Sequence, residues 1–147
     1  MKLKRLITSA IIVIIIDQLT KILLTKKQYN IFGINLINYT ENTGAAFSIL
    51  EGYRWLFITV SSIAIIILLY YATTLGQEEK KLEIPLGILI GGMAGNLIDR
   101  ILLGYVRDFI DLQIWAIFNL ADTAVFMAII ILCVYLIRKS FRKTTYH

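Results

Sequence analysis

Asp122 opens a long apolar run, "IFNLADTAVFMAIIILCVYLIRK", inside the length that a helix needs to cross a bilayer. An ionised carboxylate at such a place costs at least about 3 kcal/mol and needs a reason. Asp108 is the second misplaced carboxylate. It lies in "YVRDFIDL", where strand alternation puts Val106, Asp108, Ile110 and Leu112 on one face and Tyr105, Arg107, Phe109 and Asp111 on the other. A carboxylate in line with three apolar residues points toward the membrane or the core, whereas Asp111 is expected to pair with Arg107 on the wet face. Two aspartates in a partly dry site cannot both ionise cheaply and tend to share a proton. The ionised member can then activate a water while the protonated one hydrogen-bonds the carbonyl under attack, the division of labour in aspartic proteases. Two such aspartates also suit binding of a cation or relay of protons.

The rest of the sequence narrows the chemistry. Cys133 is the only cysteine, and the only histidine is the last residue, His147. A His/Cys zinc site, a Ser-His-Asp triad and a Cys-His pair all lack parts. Peptide hydrolysis by an aspartate pair needs none of these, and neither metal nor cofactor is expected.

The elements that position these groups are membrane helices. Of 147 residues, 58% are hydrophobic, and the mean hydropathy is +0.74, too apolar for an ordinary soluble domain. Four apolar runs, about residues 6–24, 55–75, 84–103 and 119–137, each approach the ~20 residues that a ~30 Å hydrocarbon layer requires. The expected fold is an all-α polytopic membrane protein, one domain over residues 1–147. The net charge of +5 reflects topology and not nucleic acid. Lys2, Lys4 and Arg5 precede the first run, Lys80 and Lys81 follow the second, and Arg138, Lys139, Arg142 and Lys143 follow the fourth, so both termini are expected in the cytoplasm. Lys26, Lys27, Arg54 and Arg107 fall on the other side. The basic start and apolar core of "MKLKRLITSAIIVIII" also suit a signal peptide, but "DQLTKILL" continues the helix without a small-residue cleavage site, which favours a retained span.

With a rise of ~1.5 Å per residue, Asp99 comes out roughly 22 Å along the third span, near the outer edge of the hydrocarbon. Asp122 and Lys21 reach a similar height, with Asp17 about one turn deeper. Asp17 and Lys21 are four residues apart and are expected to form a local ion pair, with Lys21 snorkelling outward. In "PLGILIGGMAGNLIDR", Gly87, Gly91 and Gly95 form a small-residue packing stripe, and Gly92, Asn96 and Arg100 form the adjacent one. Asp99 beside Arg100 suits a helix end at the interface. Asn96 wants a partner at that depth. The segment "YNIFGINLINYTENTGAAFSI" reads as a short hairpin followed by an irregular return to the membrane.

Five of these stretches, "DQLTK", "NTGAAFS", "GGMAGNLIDR", "VRDFID" and "FNLADT", occur in the order seen in the lipoprotein signal peptidases, or signal peptidase II, which the chain resembles over nearly its whole length. The resemblance implies four spans with a small extracytoplasmic β-cradle. It implies an aspartic endopeptidase of the bacterial cytoplasmic membrane that cuts prolipoproteins before a diacylglyceryl-modified cysteine. Carried over by motif, the catalytic pair is Asp108 and Asp122. Asn42, Gly44, Gly92, Asn96, Arg100, Asn119 and Ala121 shape the site or hold substrate, and Asp17, Lys21 and Asp99 have structural or supporting roles. The implied partners are the lipidated substrates and membrane lipids, and the protein is expected to be a monomer. Arg107 departs from the family pattern, in which a small aliphatic residue usually precedes the aspartate; in a strand it faces away from Asp108. The rival readings are a small proton- or cation-coupled transporter, a serine–lysine peptidase using Lys21 with Ser48, and a structural membrane subunit.

Overall fold

In a computed structural model of the chain, residues 3–31, 34–44 and 50–144 are described. Ser48 lies outside them. Four helices carry the fold: α1 (Lys4–Leu24), α2 (Arg54–Thr74), α3 (Glu83–Leu102) and α4 (Leu120–Thr144). Each contains a stretch long and apolar enough to cross a membrane. The first three match the hydropathy runs to within two residues at either end, because the apolar stretch and the helix end together. Helix α4 runs seven residues past the expected end at 137. Its basic tail keeps the helix going beyond the apolar run, and Lys139 there pairs with Glu79 of the 3-10 helix Gln77–Leu82 at 2.5 Å.

Segments between α1 and α2 and between α3 and α4 form a small sheet. Strands β1 (Gln28–Ile31), β2 (Ile34–Asn42) and β3 (Val106–Ile110) lie in the order β1-β2-β3, with both pairings antiparallel. The hairpin follows from the Ile, Asn and Tyr content of the first two strands. The third comes from the connection between α3 and α4, so the sheet joins segments of both connections into one cradle. Thr40 of β2 stands opposite Asp108.

Helix α3 is the packing centre, with more than half of its span buried against the other helices. Its glycines are the reason. A Cβ at Gly91 would lie 2.7 Å from the Ala10 carbonyl oxygen and 2.9 Å from the Val13 Cβ, both on α1. On the adjacent stripe, a Cβ at Gly92 would lie 2.6 Å from the Ala121 carbonyl oxygen on α4. One stripe therefore receives α1 and the other α4, and α3 holds both backbones close. Small residues suit this because the packing of helix on helix, not a gain in apolar burial, drives association in lipid.

The C-terminal end of α3 is tied off. Gly104, at φ +93, turns the chain toward β3. Arg54, at the start of α2, donates from Nε to the Arg100 carbonyl oxygen at 2.7 Å and from Nη2 to that of Ile101 at 2.8 Å. These are carbonyls a helix end leaves without intrahelical partners.

Gly91→Ala is expected to lower stability by about 1–3 kcal/mol, the cost of forcing a methyl group into a closed helix contact. Gly76→Ala is the control, since nothing lies within 4 Å of a Cβ there. Thermal unfolding of the two purified variants checks this; equal melting would remove the close-packing role of the stripe.

Candidate active site

The site begins with a lysine that has no access to solvent. Lys21 is fully buried on α1, and its Nζ lies 2.8 Å from Asp17 Oδ2 and 3.4 Å from Asp99 Oδ2. The local pair with Asp17 is present, but the side chain does not snorkel. Asp99 on α3 and Asn96 one turn before it supply acceptors within direct reach instead. The third Nζ contact is a hydrogen bond of 2.8 Å donated to Asn96 Oδ1. Asp17 is also held from α4, where the Ala121 amide donates to its Oδ1 at 3.0 Å.

The ammonium can only donate, so it determines which way round the Asn96 amide lies. The oxygen faces Lys21, leaving Nδ2 to donate to Asp122 Oδ1 at 2.7 Å. Asp122 itself belongs to the cap of α4. Its backbone N–H donates to Asn119 Oδ1 at 3.0 Å, and its Oδ2 accepts from the Asn119 N–H at 3.2 Å. This reciprocal arrangement is a capping box, with asparagine at the N-cap and the aspartate three residues on. Together with Asn96 it explains how a carboxylate is tolerated at the head of an apolar helix.

Asn119 carries the connection to the strand. Its Nδ2 donates to Asp108 Oδ1 at 2.6 Å and to Asn96 Oδ1 at 3.1 Å. The other oxygen of Asp108 accepts from Asn42 Nδ2 at 2.9 Å, and Asn42 Oδ1 accepts from the Gly44 N–H at 3.0 Å. Arg100 donates from Nη2 to the Gly44 carbonyl oxygen at 3.0 Å and stacks 4.8 Å from the Phe57 ring centroid. Asp108 and Asp122 thus face one cavity of about 350 Å³, whose lining includes Asn42, Asn96 and Arg100. Asp108 is 2% exposed. Burial pushes its carboxyl up to about 7, and the charge of Asp122 adds to the rise; the amide bonds from Asn42 and Asn119 and the charge of Lys21 oppose it.

The face of β3 opposite Asp108 is not wet. Phe109 is buried, and Arg107 does not pair with Asp111. Its guanidinium reaches Asp99 instead, with Nη2 2.7 Å from Oδ1 and Nε 3.2 Å from Oδ2, and Nη2 also donates to Gln18 Oε1 at 2.8 Å. Asp111 accepts from Asn38 Nδ2 at 3.0 Å and from the Gln113 N–H at 2.8 Å. Alternation along the strand leaves Arg107 and Asp108 on opposite faces as expected, but helices cover the second face too. Asp99 therefore holds Lys21 and Arg107 and does more than end a helix. Two residues of this network, Gln18 and Arg54, were not singled out from the sequence. Gln18 lies beside Asp17 in "DQLTK", and a glutamine in the middle of a span was the available signal; nothing local marks Arg54 as a helix-end partner.

Fold and site together define a polytopic membrane protein with a buried pair of carboxylates at one end of its helices, one from a strand and one from a helix start. Residues 9–138 match the family model described as signal peptidase (SPase) II. The chain is 43% identical over 133 residues to a lipoprotein signal peptidase of Halothermothrix orenii, covering 86% of this chain and 90% of that one. It is 40% identical over 139 residues to one of Clostridioides difficile, with the same coverage. A bacterial membrane enzyme solved by the in meso method at 2.3 Å resolution superposes with a TM-score of 0.84 at 31% identity, covering 94% of this chain and 90% of that one. The chain belongs to the signal peptidase II family of multi-pass bacterial membrane peptidases, and the transporter reading is not favoured.

Arg107→Val removes the guanidinium from Asp99 and Gln18 and is expected to cost about 1–3 kcal/mol, the penalty for leaving buried polar groups short of a partner. Most peptidase activity should remain, because the side chain and Asp108 point to opposite faces. Thermal unfolding and cleavage assays check the two halves. A loss of cleavage as large as that from removing Asp108 would mean the strand register is wrong.

Proposed function

We propose that Asp108 and Asp122 are the catalytic pair of an aspartic endopeptidase that removes the signal peptide from diacylglyceryl-modified prolipoproteins, cutting before the lipidated cysteine. The observation that carries this reading is the convergence of both carboxylates on one cavity through Asn96 and Asn119. Every carboxylate oxygen of the pair accepts a hydrogen bond from an amide. A pair held this way can keep one proton between two oxygens, leaving the other carboxylate to take a proton from the attacking water. The protonated member donates to the scissile carbonyl oxygen as negative charge builds on it. Breakdown of the tetrahedral intermediate returns a proton to the leaving amine.

Asn42 and Asn119 orient Asp108, Asn96 and Asn119 orient Asp122, and Gly44 with Arg100 shapes the wall beside them. Gly92 and Ala121 let α4 approach α3, and Asp17, Lys21 and Asp99 support the whole from below. We read residues 1–147 as a single membrane-embedded peptidase domain, monomeric, with both termini in the cytoplasm and the site near the extracytoplasmic surface. That depth suits a substrate anchored by acyl chains, whose scissile bond is held close to the membrane surface. Anchoring positions the substrate before any peptide contact is made.

Purified protein should cleave a diacylglyceryl-modified prolipoprotein and process the unlipidated precursor very poorly; equal rates on the two would sink the substrate assignment. Asp108→Asn and Asp122→Asn should each abolish cleavage, and the double variant should be little worse, since groups acting as a unit lose function non-additively. Near wild-type cleavage by either single variant removes the dyad.

The pH dependence follows from the Asp108 carboxyl. With its value raised to about 7, the pair keeps its shared proton below that pH and loses it above, so the rate should fall on the alkaline side. The Asn42 amide favours the ionised form of Asp108. Asn42→Ala should therefore move the alkaline limb to higher pH. A pH–rate profile with an unmoved or lowered limb would contradict this.

A further inference from the structure

The connection between β3 and α4 leaves the sheet as a short loop closed at its neck. The Ile110 N–H donates to the Phe118 carbonyl oxygen at 2.8 Å, and the Phe118 N–H donates back to that of Ile110 at 3.1 Å. Asp111 holds the near side, accepting from Asn38 and from the Gln113 N–H, and Gln113 makes the turn at φ 63. Between these ties the chain reads Leu112, Gln113, Ile114, Trp115, Ala116 and Ile117. Loops that face water are polar and rich in turn residues, and this one has a single polar side chain. Its tip is apolar and open: Ile114 is 86% exposed and Trp115 64%. Contiguous exposed apolar surface marks a binding or membrane site.

The far side of the same loop belongs to the dyad cavity. Trp115, Ala116, Ile117 and Phe118 line it together with Asp108 and Asp122. The cavity is therefore two-sided, with carboxylates and asparagine amides on one wall and an apolar loop on the other. The apolar wall continues without a break to the exposed tip. A substrate whose peptide bond sits at the dyad, with a glyceryl group and two acyl chains on the adjoining cysteine, presents the same division. The peptide needs the polar wall; the chains need an apolar path back to the bilayer.

We propose that the 112–117 loop, and Trp115 above all, receives the acyl chains along their length between the cavity and the bilayer, making it the determinant of specificity for long-chain lipidated substrate. The proposal rests on the function given above. Trp115 suits the place because its ring is large, apolar and exposed beside the cavity. Its contribution is to binding and not to chemistry, so it should appear in KM more than in kcat.

The test uses two synthetic lipopeptide substrates with the same sequence, one carrying dipalmitoyl-glyceryl and one dihexanoyl-glyceryl on the cysteine. Both are given to full-length wild type, Trp115→Ser and Trp115→Phe in one detergent. For Trp115→Ser, the KM for the long-chain substrate should rise roughly tenfold, with kcat changed less than about twofold, while the short-chain KM moves little. Trp115→Phe should restore most of the wild-type preference. A long-to-short KM ratio in Trp115→Ser equal to that of wild type overturns the proposal. So does an equal rise in both KM values, which would make the loop a bilayer anchor only. A fall in kcat on both substrates that Trp115→Phe does not rescue would also overturn it, by making the residue part of the fold. If wild type cleaves neither lipopeptide, the function itself fails and takes this inference with it.

Discussion

The end of the helices nearest the sheet is organised by the need to neutralise a buried ammonium. Lys21 has no solvent access, and taking such an ion out of water is repaid only by close, well-directed partners. Asp17 and Asp99 supply the charge, and Arg107 restores the balance, so two cations face two anions. The four residues come from α1, α3 and β3, and their pairing fixes how those elements meet. Removing a partner would leave a charge in a medium that cannot solvate it. The supporting cluster is for that reason less tolerant of change than its distance from the two dyad carboxylates suggests.

From this cluster the orientation of the site follows step by step. The ammonium can only donate, which turns the oxygen of Asn96 inward and its N–H groups toward Asp122 and the cavity. Asn119 uses its oxygen to cap α4, which leaves its N–H groups for Asp108 and Asn96. Each asparagine is thus placed by an obligation elsewhere and has its amide donors free for the carboxylates. The helix cap and the dyad share atoms: Asp122 is both the acidic member of a capping box and a wall of the cavity. A helix N-terminus favours negative charge, which helps the carboxylate at the head of α4 to be held there.

Much of this was legible in the sequence. Four apolar runs of membrane length, two carboxylates in apolar company and a glycine period of four are local patterns, and local physics decides them. The period-two reading of "YVRDFIDL" set Arg107 and Asp108 on opposite faces correctly. The same reading misjudged the environment of the second face. Alternation says which residues share a side; it does not say what covers that side. Lys21 was misplaced for a similar reason. Snorkelling is the default for a lysine near a span's end, and it is overridden only when another helix brings acceptors closer than the water.

The sequence by itself determined the number of apolar helices, the spacing that puts polar residues on shared faces, and the family. Those properties depend on hydropathy and on spacing along one element. Tertiary structure alone decided the partners. The Ala121 amide meets Asp17 across 104 residues of chain, Asn42 meets Asp108 across 66, and Arg107 chooses Asp99 over Asp111. Such contacts turn on how three helices and a strand pack around α3, and in the dry interior a charge or an amide takes whichever partner that packing brings within hydrogen-bond reach.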